Sequence, residues 1–122
     1  EKYLSNNNPD IAFLGIGSDG HTAGIFNKKL NTKYCYSLKN KMDSYHRITI
    51  SMNMLIKIPI LIFFVFGSKK KKILKKILSN KVNKKFIPSS FLLKNGLGEK
   101  IIICDNQAAP SGFSLGESII RL

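Results

Sequence analysis

The sequence predicts an α/β fold with a mainly parallel sheet flanked by helices. Two apolar runs, Ile11 to Leu14 and Ile60 to Phe66, are each followed by a glycine-containing loop, and helical patterns separate the predicted strands. This order favours parallel pairing, because parallel strands need a crossover connection. The first run has the character of a buried strand, and the second, continuously β-branched and aromatic, predicts a strand covered on both faces. Ligands of such sheets bind beyond the carboxyl ends of the strands, where the loops at 15 to 21 and 67 to 70 fall.

Periodicity and turn residues predict the shorter elements. Strands are expected around Tyr34 to Leu38 and at Arg47 to Ser51, where apolar and polar residues alternate. A last strand is expected at Lys100 to Cys104. Short helices are expected over His21 to Phe26 and Asn53 to Lys57.

The clearest predicted helix runs from Ser68 to about Ser79, with Ser68 capping its first amides. One face of this helix is apolar and is expected to be buried; it carries Ile73, Leu74, Ile77 and Leu78. The lysine run at 69 to 72 is interpreted as solvated surface, because no aromatic residues interleave with it to stack on bases. One lysine at the helix start remains a candidate phosphate ligand. A short helical turn is expected after Pro88.

Length and charge limit the possible classes of protein. The chain has 122 residues, a formal net charge of +13 and an isoelectric point of about 9.9. It can form one modest domain or part of a larger one, and the absence of an initial methionine favours a part. The many asparagines and isoleucines beside the lysines indicate AT-rich coding, so the charge is discounted. We therefore expect no nucleic acid and no membrane as partners.

The cysteines and the most apolar window bear on location. Cys35 and Cys104 are too few for a secreted disulfide framework and too far apart for a metal knuckle, so we expect reduced thiols in a cytoplasmic protein. The window from Met54 to Phe66 contains Lys57 and Pro59 and is shorter than the roughly 18 residues of a membrane span. It is expected to be buried sheet.

Two motifs match known fingerprints in spelling but not in context. Gly15-x-Gly17-x-x-Gly20 follows a strand, but a dinucleotide site also needs a long helix, a second strand and a later acidic residue. Asp43 has about the right spacing and lies in an unpatterned segment. The run from Gly112 to Gly116 spells a nucleophile elbow, yet no strand precedes it and no Asp or His follows. Neither fingerprint is favoured.

Asp19 and His21 are the candidate catalytic residues. They lie in a loop whose glycines leave backbone N–H groups free to face an anion. An imidazole that titrates near neutral pH, beside a carboxylate that fixes its tautomer, is typical of a general base. His46 is interpreted as a surface residue.

The stretch from Pro9 to Ala23, PDIAFLGIGSDGHTA, closely resembles the signature of 6-phosphogluconolactonases, which share a superfamily with glucosamine-6-phosphate deaminases. Arg47-Ile48-Thr49, Phe66-Gly67-Ser68-Lys69-Lys70 and Pro88-Ser89-Ser90 follow in the family's order. The resemblance implies a Rossmann-like domain of which residues 1–109 are the C-terminal part, with 110–122 as a tail or linker. The family's N-terminal half is not among these residues.

The resemblance also implies an activity, the hydrolysis of 6-phospho-D-glucono-1,5-lactone to 6-phosphogluconate. His21 would activate the attacking water, Asp19 would orient His21, and Arg47 and Lys70 would hold the substrate phosphate or nearby oxygens. No metal or organic cofactor is implied. Some family members are fused to glucose-6-phosphate dehydrogenase, so the full natural chain is a candidate for such a fusion.

The glycines of the loop complete the candidate substrate-binding residues, with loop amides as oxyanion donors; they are Gly15, Gly17 and Gly20. The sequence departs from the family pattern in having Gly24 and Asn27, where serine and proline are usual, and no tryptophan near Ile102.

Two alternative functions remain open. An amino-sugar phosphate deaminase or isomerase has the same glycine loop, but follows the histidine with an Asn-Glu stretch that this chain replaces by Thr22-Ala23-Gly24. The second alternative is an inactive, basic binding module.

Overall fold

The computed structural model describes residues 2–28, 33–39, 45–79, 85–111 and 119–122. In chain order the elements are α1 (Lys2–Asn6), β1 (Ile11–Gly15), β2 (Cys35–Lys39), β3 (His46–Ile50), α2 (Met52–Lys57), β4 (Ile60–Val65), a 3-10 turn (Ser68–Lys70), α3 (Lys71–Leu78), α4 (Pro88–Asn95), β5 (Glu99–Cys104) and β6 (Ile119–Arg121). Asp43 and the run from Gly112 to Gly116 fall outside the described residues. No helix within the described ranges has the length and apolar character to cross a membrane.

The main sheet has four parallel strands in the order β1-β4-β5-β6. Ile11 pairs with Ile60, which in turn pairs with Glu99 on the next strand. Helices lie in the chain between β1 and β4 and between β4 and β5, as a parallel sheet requires. The predicted α/β class with a parallel sheet is confirmed.

Strands β2 and β3 form a separate antiparallel pair, in which Tyr36 is opposite Thr49 and Leu38 is opposite Arg47. Both predicted strands are confirmed in position. The pair is joined to the loop after β1 by a hydrogen bond from the Gly24 N–H to the Thr49 hydroxyl at 2.9 Å.

One face of the main sheet is fully covered. Leu61, Phe63 and Val65 of β4 are at most 1% exposed. They belong to the same buried cluster as Leu74 of α3 and Leu92 of α4, both 0% exposed. The predicted apolar face of α3 is confirmed, because Ile73, Leu74 and Ile77 are buried and Leu78 is partly buried.

The opposite face of the sheet is apolar but exposed. Ile11 and Phe13 on β1 are 45% and 67% exposed, Phe64 on β4 is 37% exposed, and Phe66 just beyond β4 is 46% exposed. The Phe13 and Phe64 rings stack with centroids 6.0 Å apart. The prediction that β4 is covered on both faces is therefore wrong for the described residues, and β1 is likewise buried on one face only. A continuous apolar run shows that both faces of the strand are apolar. It does not show that the described residues cover both faces.

The helix predicted for His21 to Phe26 is wrong. Thr22 and Ile25 form an antiparallel bridge around a tight turn in which Ala23 has a φ of 49°. The Thr22 hydroxyl donates to the carbonyl of Gly15 at 2.9 Å. Tertiary hydrogen bonds of this kind outweigh a helix preference over so short a segment.

The region predicted as one helix from Ser68 starts as a 3-10 turn and continues as α3. Ser68 makes no capping hydrogen bond with its side chain, so that prediction is wrong. The backbone closes this first turn instead, because the Lys70 N–H donates to the Gly67 carbonyl at 2.9 Å. Ser51 does cap α2, since its hydroxyl accepts from the Met54 N–H at 3.2 Å.

The last two elements extend beyond expectation. Helix α4 has eight residues rather than a single turn, with Pro88 in its first turn, where proline's missing N–H is not needed. Strand β6 pairs with β5 through Ile119 and Ile102. No strand was predicted among residues 110–122, because three residues give no readable alternation.

Candidate active site

The loop after β1 is closed by its own backbone. The Gly17 N–H donates to the His21 carbonyl at 2.8 Å, and the Gly20 N–H donates to the Gly17 carbonyl at 2.9 Å. These two amides are therefore engaged inside the loop, and their glycines shape the site more than they offer donors to a ligand. Gly20 has a φ of 89°, a conformation that favours glycine.

Asp19 and His21 form a hydrogen-bonded pair within this loop. Asp19 Oδ1 lies 2.5 Å from His21 Nδ1 and also accepts from the His21 backbone N–H at 3.2 Å. The side chains are 33% exposed for His21 and 54% for Asp19. Both side chains are thus partly exposed to solvent and are held by the hydrogen bond between them.

The Asp19 pKa shows which group holds the proton. Partial burial raises this pKa, but the hydrogen bonds and charge of His21 together outweigh burial, so the pKa is lowered below the ordinary value of 3.8. An ionised carboxylate can only accept, so the proton between the pair belongs to Nδ1. In a neutral imidazole, Nε2 then carries the lone pair of a base.

Gly17 makes room for this pair. A Cβ at position 17 would overlap the His21 ring and crowd the Asp19 carboxylate. Gly20 is equally confined, because a Cβ there would overlap Ile87 and crowd Ile73 beneath the loop. Both glycines are required by close approach, which the spacing of the motif alone did not show.

A neighbouring helix anchors the loop from below. The Ser89 N–H and hydroxyl both donate to the Gly20 carbonyl, at 3.1 Å and 2.8 Å. Ser89 is fully buried at the start of α4. The sequence resemblance pointed to this serine as a landmark without a role, and the structure gives it one as a support of the loop.

The second candidate loop lies after β4 and contacts the first. Lys70 Nζ donates to the Ile16 carbonyl at 2.6 Å, which brings together the two loops predicted at the carboxyl edge. Gly67, with a φ of 88°, begins the turn that carries Lys70. Both carboxylate oxygens of Asp105 accept from the Gly67 N–H, at 3.1 Å and 3.0 Å.

Asp105 was missed by reasoning from the sequence. Its Oδ1 also accepts from the Ala108 N–H at 2.8 Å, so one carboxylate fastens the turn before Lys70 to the segment after β5. A polar residue directly after a parallel strand is the signal that could have identified it.

Phe26 joins Arg47 to the catalytic pair. The Phe26 ring centroid lies 4.5 Å from that of His21 and 5.9 Å from the Arg47 guanidinium carbon. A cation over an aromatic face is attracted by the ring quadrupole. The structure thus brings Arg47 close to the site although it lies near the start of β3, and it leaves His46 exposed, as predicted.

The other predicted site residue, Gly15, ends β1 with open space where its Cβ would point. The described part of the chain holds no group of three or more His, Cys, Asp or Glu side chains that could bind a metal ion. Cys35 is partly buried and Cys104 is buried, and both are free thiols. The structure thus brings His21 and Asp19 together with Lys70 and Arg47 at this edge.

Comparison with known proteins identifies one family. Residues 1–102 match the family of glucosamine-6-phosphate isomerases and 6-phosphogluconolactonases. A probable 6-phosphogluconolactonase of Dictyostelium discoideum is 30% identical over 98 residues, which cover 75% of this chain and 42% of that protein.

Solved structures show the same fold. The 6-phosphogluconolactonase of Trypanosoma cruzi superposes with a TM-score of 0.71 at 27% identity, over 86% of this chain and 41% of that one. A monomeric glucosamine-6-phosphate deaminase superposes with a TM-score of 0.65 at 19% identity, over 88% of this chain and 50% of that one. The chain spans about half or less of the length of these proteins. It belongs to the family of glucosamine-6-phosphate isomerases and 6-phosphogluconolactonases.

Proposed function

We propose that this chain carries the general base of a 6-phosphogluconolactonase, which hydrolyses 6-phospho-D-glucono-1,5-lactone to 6-phosphogluconate. The observation that supports it is the Asp19–His21 pair, with 2.5 Å between Oδ1 and Nδ1. That contact directs the unprotonated Nε2 away from the carboxylate. An unprotonated imidazole nitrogen is suited to removing a proton from water.

The reaction follows from this geometry. His21 Nε2 takes a proton from water as the water oxygen forms a bond to the lactone carbonyl carbon. The negative charge that develops on the carbonyl oxygen needs nearby donors or cations. The bond between that carbon and the ring oxygen then breaks, and the ring oxygen takes the proton from the imidazolium. Asp19 is the positioning residue for His21 throughout.

Lys70 and Arg47 are proposed to hold the phosphate or neighbouring oxygens of the substrate. Lys70 uses one N–H on the Ile16 carbonyl, and an ammonium has further donors for a ligand. Arg47 lies beside Phe26, whose ring contacts His21. Gly15, Gly17 and Gly20 are proposed to let the substrate approach the loop closely.

A deaminase or isomerase acting on amino-sugar phosphates is the second candidate, favoured by the fold shared with the monomeric deaminase. The residues after His21 argue against it, because Thr22-Ala23-Gly24-Ile25-Phe26 stands where those enzymes have a stretch that contains Asn-Glu. Release of ammonia from glucosamine 6-phosphate distinguishes the two activities.

The test is lactone hydrolysis by the full natural chain that contains these residues, corrected for spontaneous ring opening. We expect His21→Ala to lower the rate by about 100-fold or more, the size typical for loss of a general base. His46→Ala is the matched control, since His46 is exposed, and should leave the rate unchanged. A wild-type rate no higher than the spontaneous rate, or equal losses in both variants, would contradict the proposal.

The resemblance extends the proposal in two further respects. We propose that the enzyme acts in the cytoplasm, in keeping with the free thiols of Cys35 and Cys104. We also propose that the full natural chain is fused to a glucose-6-phosphate dehydrogenase domain, because some members of the lactonase family are. The length and sequence of that chain test this.

A further inference from the structure

Three lysines from two parts of the chain line one cavity beside the catalytic loop. The cavity has a volume of about 300 Å³ and lies between the loop after β1, helix α3 and the residues that lead into α4. Its lining residues are Ser18, Asp19, Lys72, Ile73, Lys76, Lys85 and Ile87.

The charges on this cavity are poorly balanced. Lys72 and Lys76 are four positions apart on α3, a spacing at which like charges destabilise a helix. Lys85 adds a third ammonium from outside that helix. Asp19 is the single carboxylate in the lining, and it is bonded to His21. Within the described ranges, no carboxylate lies within ion-pair distance of Lys72, Lys76 or Lys85.

The remaining lining suits a small anion. Ile73 and Ile87 are 6% and 5% exposed and form an apolar floor beneath the exposed lysines. Ser18 contributes a hydroxyl that can donate a hydrogen bond. Lysine binds phosphate as a point charge and needs no fixed fork geometry.

We propose that this lysine cavity binds the phosphate group of a phosphomonoester. The site is separate from Arg47 and Lys70, neither of which lines it. Its ligand is a phosphorylated molecule other than the lactone, because the substrate's own phosphate is assigned to Lys70 and Arg47. Because Asp19 lies in its wall and Ile73 and Ile87 pack beneath Gly20, an occupied cavity would contact the loop that carries His21.

The test measures binding of inorganic phosphate to the full natural chain by equilibrium dialysis. A variant with Lys72→Gln, Lys76→Gln and Lys85→Gln removes the charges of the cavity. The control carries Lys69→Gln, Lys71→Gln and Lys75→Gln, which removes the same number of exposed lysines from outside the cavity. Glutamine keeps a high helix propensity, so both variants should fold. Lys85→Gln alone, outside any helix, is the second variant if the triple variant is unstable.

We expect the cavity variant to bind phosphate about tenfold more weakly or worse, and the control to change by less than about twofold. Equal weakening in both variants, or the absence of saturable binding, would overturn the proposal. Because the proposed substrate site at Lys70 also binds phosphate, Lys70→Gln distinguishes the two sites: binding that weakens in Lys70→Gln and not in the cavity variant would overturn the proposal. The measurement involves no turnover, and repeating it with His21→Ala separates its outcome from that of the lactonase assay.

Discussion

The two faces of the main sheet differ sharply in how much of each face the described residues cover. Phe63 and Phe64 are adjacent on β4, yet Phe63 is 0% exposed under the helices and Phe64 is 37% exposed on the open face. Parallel sheets are ordinarily covered on both faces. The described residues therefore cover one face of the sheet and leave the other face exposed.

The candidate site depends on the covered face. Gly20 packs on Ile73 and Ile87, and its carbonyl accepts two hydrogen bonds from Ser89. These supports all come from α3, α4 or the residue that precedes α4. The contacts that support the loop of Asp19 and His21 therefore come from the covered face of the sheet.

The largest expected effect is on stability, and it contrasts the two adjacent phenylalanines. Phe63→Ala should lower the free energy of unfolding by about 3–5 kcal/mol, because it leaves a cavity in a closed core. Phe64→Ala should cost less than about half as much, since that ring already meets solvent. Urea denaturation of the full natural chain checks both. Equal losses would mean that the open face is covered as tightly as the closed one.

A second prediction concerns the catalytic pair and contrasts two loop glycines. Gly17→Ala should displace the His21 ring and reduce lactone hydrolysis by about 100-fold, the size of effect that follows from misplacing a catalytic group by about 1 Å. Its cost in stability should be small, because a partly exposed side chain can move aside. Gly15→Ala is the comparison: open space at its Cβ position leaves the His21 ring in place, so it should lower the rate less than Gly17→Ala, although Gly15 is also proposed to face the substrate. Similar rates for the two variants would show that the ring position is unimportant.

The smallest expected effect is the pH dependence of Asp19. Because its folded pKa is lowered below 3.8, its contribution to stability is present above pH 3.8 and is lost as the pH falls through the folded pKa. In His21→Ala the side-chain hydrogen bond and the charge of His21 are gone, while the backbone hydrogen bonds and the effect of burial remain, so the Asp19 pKa should rise. Carboxyl carbon NMR measures both titrations. The same midpoint in the two proteins would refute the assigned cause.

Local features were predictable from the sequence, and long-range ones were not. Asp19 and His21 are two positions apart in a glycine loop, so their contact could be foreseen from the motif. Asp105 and Gly67 are separated by 38 positions, and no local pattern indicates that they meet. Arg47 contacts Phe26 beside His21, and Phe26 looked like an ordinary apolar residue in a predicted helix.

The elements of the fold likewise divide into those that local sequence predicted and those that depend on distant contacts. The apolar runs predicted β1, β4 and β5 closely, because burial of at least one face imposes a readable pattern. The tight turn at Thr22 to Ile25 was missed, because hydrogen bonds to Gly15 and Thr49 determine it. The open face was missed because hydrophobicity does not identify the covering layer.

The central claim is that Asp19 holds His21 with Nε2 free to act as a base. The most direct test is nitrogen NMR of the His21 ring at about pH 8, where an ordinary imidazole is neutral. We expect the proton on Nδ1, facing Asp19, and we expect Asp19→Asn to lose this preference because an amide can both donate and accept. A ring protonated on Nε2 in the wild-type protein would contradict the claim.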